Sequence, residues 1–212
     1  MLRARAAGDW EAATRHPFCA ELAAGTLPRA KMAWYLVQDY SFIDGFVRLA
    51  ASAIAYAPSL PDRIPLAQFL GVITGPENTY FQRSLEALGV AEADRTAPDL
   101  APATLGFRAL MDEAASSGEY AQMVAVLSVA EWSYLTWATP FAPPRADLPF
   151  YFAEWIDLHA GAGFEGVVAY LRGQLDKAWK AADEAGRARA ADAFIRAVAL
   201  ERAFFDAAYQ DR

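Results

Sequence analysis

The stretch Tyr120-Ala121-Gln122-Met123-Val124-Ala125-Val126-Leu127-Ser128-Val129-Ala130-Glu131-Trp132-Ser133-Tyr134-Leu135-Thr136-Trp137-Ala138 decides the fold. It reads as the apolar interior of a helical protein, and Glu131 is the only charged residue between Glu119 and Arg145. The run is almost long enough to cross a bilayer, but Gln122, Ser128, Glu131, Ser133 and Thr136 interrupt it and no Lys or Arg flanks it as an anchor. A central buried helix fits better than a membrane span. An ionised carboxylate loses heavily on leaving water unless it is paired, hydrogen-bonded or protonated, so Glu131 needs a partner or a ligand.

Outward from this helix, alanine-rich segments with three-to-four-residue apolar spacing dominate and strand signals are sparse, which makes the chain all-α. A short pair is expected over Arg3 to Arg15 and His16 to Ala24, with Gly25-Thr26-Leu27-Pro28 as a stop and restart. One long helix should follow from Pro28 to Tyr56, since Pro in a first turn sacrifices no useful N–H. The next, Pro61 to Leu88, contains Gly75-Pro76 and should kink there. After a polar connector from Gly89 to Pro102, further helices are expected at Ala103 to Ser116, Glu119 to Ala138, Leu148 to His159, Gly163 to Asp183 and Arg187 to Ala208. That is about eight or nine helices in one single-domain bundle spanning residues 1–212. There is no internal repeat or sustained heptad pattern.

Composition narrows the function. A formal charge of −7 repels phosphate backbones and anionic membrane surfaces, so nucleic acid and membrane are not expected partners. The single cysteine, Cys19, cannot form an internal disulfide, and Met1 to Asp9 lacks a secretory pattern, which points to the cytoplasm.

Three acids interrupt inward apolar stripes. Asp39 lies on the line Tyr35, Asp39, Phe42, Phe46; Glu131 on Leu127, Glu131, Tyr134, Ala138; Glu201 on Phe194, Val198, Glu201, Phe205, Ala208. Glu77, between Ile73 and Tyr80 beside the Gly-Pro kink, is a fourth candidate. Each acid also has a purely structural reading, as a cap, an Arg partner or the edge of a stripe, but Glu131 has no cation near it in sequence. Together they favour a pocket in which crowded, desolvated carboxylates run acid–base chemistry. A di-iron site would need Glu-x-x-His motifs, and Tyr134, Phe204 and Tyr80 stand three residues after Glu131, Glu201 and Glu77. With His16 and His159 the only histidines, no metal and no cofactor are expected. His16 and Cys19 at i, i+3 form a possible activated thiolate, set against the plainer reading of Cys19 as a small buried hydrophobe. No phosphate loop, G-x-S-x-G elbow or C-x-x-C pair is present. Aromatics make up 13% of the chain, and several share lines with the acids, as a flat nitrogen heterocycle would require.

Three separated motifs in order, His16-Pro17-Phe18, Gly25-Thr26-Leu27-Pro28 and Trp34-Tyr35-Leu36-Val37-Gln38-Asp39-Tyr40, resemble the opening of the TenA (thiaminase II) family. The likeness continues through Glu77, the segment ending at Gly89, Glu131-Trp132-Ser133-Tyr134, Trp155-Ile156 and Glu201. It implies a haem-oxygenase-like all-α fold without haem, a homo-oligomer (dimer or tetramer), and hydrolysis of aminopyrimidines in thiamin salvage. The better-known branch carries a catalytic cysteine just before a Trp on the helix matching Glu119 to Ala138; Ala130 takes that place here, next to Glu131. The chain therefore resembles the cysteine-lacking branch, which carries a Glu in this region. Tyrosines that line the pocket in the cysteine branch are replaced by Phe42, Phe107 and His159, while Tyr134 keeps its hydroxyl.

These readings combine into a cofactor-free hydrolase acting on a small-molecule aminomethyl or formylaminomethyl pyrimidine. Asp39 would accept from the ring amino group and orient it, Glu131 would activate water or position the leaving group, and Glu201 would act as proton donor or orienter. Phe42, Phe107, Tyr134 and His159 would wall the pocket, with Tyr35 and Glu77 contacting substrate. The alternative is a non-catalytic protein of the same fold that binds a heterocycle or a protein partner.

Overall fold

In the computed structural model, which describes residues 2–210, every regular element is helical and no strand occurs among the described residues. In chain order the α-helices are α1 (Leu2–Arg5), α2 (Ala7–Thr14), α3 (Pro17–Ala24), α4 (Arg29–Tyr40), α5 (Ile43–Tyr56), α6 (Leu60–Val72), α7 (Asn78–Ala87), α8 (Glu92–Thr96), α9 (Pro102–Ser116), α10 (Tyr120–Ala138), α11 (Phe150–Leu158), α12 (Gly161–Ala181) and α13 (Glu184–Tyr209). A π-helical turn, Ile73–Glu77, joins α6 to α7, and a 3₁₀ turn, Thr139–Phe141, follows α10.

The central helix is α10. Residues Ala121 to Ala130 are buried without exception, so the first half of this helix touches protein on every side, as its unbroken apolar run requires. It packs against α13 and α12 most extensively and also against α5 and α9. The buried apolar side chains form one continuous cluster, in which Trp10, Trp137, Trp155, Tyr35 and Tyr80 are the bulkiest fully buried contributors. Each such side chain contributes about 1.5–3 kcal/mol on leaving water. Among the described residues no helix is long and apolar enough to cross a membrane.

Local chemistry sets several boundaries where the sequence places them. His16 caps α3: its Nδ1 accepts from the Phe18 backbone N–H at 3.1 Å, and Pro17 occupies the first turn, where no donor is lost. Gly25 ends α3 in the left-handed region at φ 75°, which favours glycine, and a Cβ there would lie 2.8 Å from Leu148 Cδ2, so that side chain would have to shift. Asp183 caps α13 by accepting from the Gly186 N–H at 2.7 Å, which starts that helix three residues before the expected Arg187.

Three expectations need correction. The segment Pro28 to Tyr56 is two helices, because after Asp39 the backbone tightens: Ser41 N and Phe42 N donate to Gln38 O and Asp39 O, while Ser41 Oγ turns back to Val37 O at 3.0 Å. Gly75-Pro76 produces a π-helical turn instead of a simple kink, since the wider turn tolerates the missing proline donor. Short helices bring the α-helix total among the described residues to thirteen rather than eight or nine: Arg3 to Arg15 splits into α1 and α2, and α8 forms within the expected connector.

Candidate active site

Both irregular turns border one cavity. The tight turn after Asp39 brings Asp39 and Phe42 to its wall from the junction of α4 and α5, and the π-turn adds Ile73 and Glu77. From α10 come Ala130, Glu131 and Tyr134; from α9, Phe107 and Met111. Trp155 on α11, His159 just beyond it and Glu201 on α13 complete the opposite side. The hollow contains about 530 Å³ of empty space, its open mouth included. Acids from four separated parts of the chain thus share one lining, as does every aromatic residue expected there except Tyr35.

Tyr35 sits one layer back, fully buried, which corrects its placement on the wall. Its hydroxyl lies 2.7 Å from the Tyr134 hydroxyl and accepts from Trp155 Nε1 at 3.2 Å. Tyr134 in turn donates to Asp39 Oδ1 at 3.4 Å, so Tyr35 must donate to Tyr134. The result is a directional relay from Trp155 through two phenols to a carboxylate. Trp155 is held by stacking on Tyr80, ring centroids 5.0 Å apart and 14° from parallel, and Tyr80 is anchored by donating to Tyr151 O at 2.7 Å.

The four carboxyls resist ionisation. Asp39 is pushed well above its ordinary pKa by burial first and by Glu77 second, with the Tyr134 hydrogen bond opposing. Burial and the charge of Asp39 raise Glu201 strongly; burial with Glu77, Glu201 and Asp39 raises Glu131. Burial raises Glu77 to about 7. Asp39 and Glu201 are 8% and 2% exposed, whereas Glu77 and Glu131 are half-buried, and burial is the first cause of the shift in all four. Glu131 is therefore less enclosed than its apolar helix implied, because its side chain opens onto the cavity. Among the described residues no ammonium or guanidinium lies within ion-pair reach of these four acids.

His159 behaves as a neutral ring. Nδ1 is 2.9 Å from Trp155 O, which can only accept, so this nitrogen carries the hydrogen and leaves Nε2 as an acceptor. Burial lowers its pKa to about 4. Elsewhere the His16 and Cys19 pair forms no reactive thiol: Cys19 is 2% exposed and burial raises its pKa, while His16 spends Nδ1 on the α3 cap and sets Nε2 3.3 Å from Asp206. Among the described residues no three His, Cys, Asp or Glu side chains gather closely enough to hold a metal ion.

Ile43, Ile73 and Met111 also line the cavity and escaped the sequence reading. Met111 lies one turn beyond Phe107 and Ile73 one turn before Glu77, spacings that carried the information. Ile43 depends on the tight turn after Asp39, which has no comparable signal.

Fold and cavity together define an all-helical protein with a carboxyl-lined, aromatic-walled pocket. The model of the TENA/THI-4/PQQC family matches residues 3–211, and the chain belongs to that family. Similar proteins include an aminopyrimidine aminohydrolase of Halalkalibacterium halodurans, 27% identical over 205 residues covering 96% of this chain and 91% of that one. Another, from Bacillus subtilis, is 25% identical over 208 residues, covering 98% and 88%. Among solved structures, one described as a TenA family transcription regulator from Silicibacter sp. TM1040 superposes with a TM-score of 0.86 at 24% identity, covering 99% of this chain and 95% of that one. A TenA homologue from Pyrococcus furiosus gives 0.86 at 21% identity, covering 98% of each chain. At that identity the structural likeness speaks for the fold alone.

Proposed function

We propose that the protein hydrolyses a thiamin-derived aminopyrimidine, an aminomethyl or formylaminomethyl compound, to hydroxymethyl pyrimidine, using carboxyls in place of a cysteine nucleophile. The observation that carries this reading is the convergence of Asp39, Glu77, Glu131 and Glu201 on one aromatic-lined hollow. The names and near-complete coverage of the aminohydrolase relatives support the substrate class. Ala130 lies on the cavity wall where the resemblance places a cysteine in the other branch, so no thiol is available there and water is the attacking group.

In this reading Phe42, Phe107 and Trp155 hold the flat ring, and Asp39 accepts from its amino group. Asp39 suits that role because the tyrosine relay supplies the one hydrogen bond that favours a carboxylate in the cavity. Glu201, enclosed and without such a donor, keeps its proton and delivers it to the departing nitrogen. Glu131, also protonated in the free protein, acts as the base only after bound substrate has drawn off its proton, and then takes a proton from the attacking water. Four like charges in one desolvated hollow do not ionise together, which is what separates donors from acceptors among chemically similar groups. The same proposal includes a cytoplasmic setting and a homo-oligomer. The outer face of α6 supports the second, with Leu60, Ile64 and Val72 left 65%, 45% and 42% exposed.

The test is a product assay. Purified protein incubated with aminomethyl and formylaminomethyl pyrimidines should yield hydroxymethyl pyrimidine from at least one of them. Binding of both without product would contradict the hydrolase and favour a heterocycle-binding protein.

A further inference from the structure

Helix α10 divides two pockets. Glu131 lines the central cavity, and the next residue, Trp132, lines a second hollow that shares no residue with it. This second hollow contains about 800 Å³ of empty space, its open mouth included, and its walls are cationic and aromatic where those of the cavity are acidic. Arg3 comes from α1, Trp132 from α10, Arg172, Asp176 and Trp179 from α12, and Phe194 from α13. Arg172 Cζ lies 4.0 Å from the centroid of the Trp132 ring and Arg3 Cζ 5.3 Å from it, so two guanidiniums crowd one indole. Trp10 packs edge-on against the same indole, centroids 4.9 Å apart, and fixes its place.

Two cations gathered at one ring repel each other, and the fold does not answer them. Arg83, Arg189, Arg196 and Arg202 each meet a carboxylate, whereas among the described residues neither Arg3 nor Arg172 forms an ion pair. In a chain of net charge −7, acids were available to pair them. Asp176, one turn along α12 from Arg172, shares the lining yet stays beyond ion-pair reach of it.

We infer that this hollow is a binding site for a small planar organic carboxylate, separate from the reaction proposed for the cavity. A guanidinium resting on a ring uses its face and keeps its N–H edge for an acceptor, and a carboxylate matches that edge with two parallel hydrogen bonds. Trp179 and Phe194 supply apolar surface for the body of the ligand. Asp176 sets the charge. Two guanidiniums and one carboxylate leave the lining a single positive charge, which a monoanion neutralises and a phosphate dianion overshoots.

Titration calorimetry with 1-naphthoate, its neutral isostere 1-naphthamide and 1-naphthyl phosphate tests this. At pH 7.5 the naphthoate should bind at least about tenfold more tightly than the amide, and added salt should weaken the naphthoate alone. Arg172 is exposed, so Arg172→Gln should keep the fold, checked by an unchanged thermal midpoint, and erase the preference. Asp176→Asn should tighten the naphthoate by removing a like charge. Equal binding of naphthoate and amide, or a preference that survives Arg172→Gln, would overturn the site. Tighter binding of the naphthyl phosphate than of the naphthoate would overturn the carboxylate as its ligand.

Discussion

Two acidic regions of this protein contain the same functional group and treat it in opposite ways. Asp62, in the first turn of α6, receives Ser59 Oγ at 2.6 Å, Gln174 Nε2 at 2.8 Å and Lys177 Nζ at 3.0 Å, so a carboxylate tied to α12 is fully served with donors. Those hydrogen bonds lower its pKa to about 2. In the cavity, Glu131 and Glu201 have burial and neighbouring acids in place of donors, and both are driven the other way. One arrangement fixes a charge as part of the scaffold; the other withholds the partners a ligand can provide. Acidity in this chain follows from what faces the carboxyl, not from residue type.

The largest test of the contrast removes one acid from the unpartnered set. Glu131→Gln should cut turnover of the aminomethyl pyrimidine by about 10²–10⁴-fold, the usual share of a positioned base, with the thermal midpoint held or raised. Unchanged steady-state rates would remove Glu131 from the mechanism. Next in size is Tyr35→Phe, which leaves Trp155 Nε1 without its acceptor and strips the donor from the Tyr134 hydroxyl. Urea titration should show a loss of about 1–3 kcal/mol.

A subtler probe is pH. Glu77 has a folded pKa raised to about 7 above an ordinary 4.5, so the fold binds more protons than the unfolded chain between those values and this group's contribution to stability falls as pH rises through them. Glu77→Gln should therefore gain on the wild type from pH 5 to 8, by about 1–2 kcal/mol after allowance for its partial exposure. The comparison must be made as a difference, because His159, lowered to about 4, slopes oppositely below its ordinary 6.5. Asp62→Asn is the smallest case and the reverse in sign. Its stabilisation is present above the ordinary Asp range and is lost as pH falls toward about 2, so the wild type should lead the variant at neutral pH and converge with it in acid.

How much of this was legible in the sequence depended on the periodicity around each residue. The central helix announced itself because an uninterrupted apolar run has only one place to go, and its residues Ala121 to Ala130 are indeed enclosed. The inward lines through Asp39, Glu131 and Glu201 followed from the 3.6-residue repeat, which holds within a helix. It fails where a helix is locally rewound. The tight turn at Ser41 and Phe42 includes a side-chain bond to Val37 O, so the break after α4 could not be projected from spacing, whereas Glu77 was legible as a fourth candidate between Ile73 and Tyr80 although the π-turn at Ile73–Glu77 was not. Depth was also hidden. Tyr35 and Tyr134 look alike on their helical lines, yet one forms the wall and the other supports it from behind, a distinction fixed by the partners Trp155 and Asp39 from remote segments.

Protonation of the four cavity carboxyls in the free protein underlies every step proposed for the site, and side-chain carboxyl ¹³C titration between pH 4 and 9 reads it directly. Asp39, Glu131 and Glu201 should change well above the ordinary acidic range and Glu77 near 7. Four transitions completed below about pH 5, as for solvated acids, would contradict it.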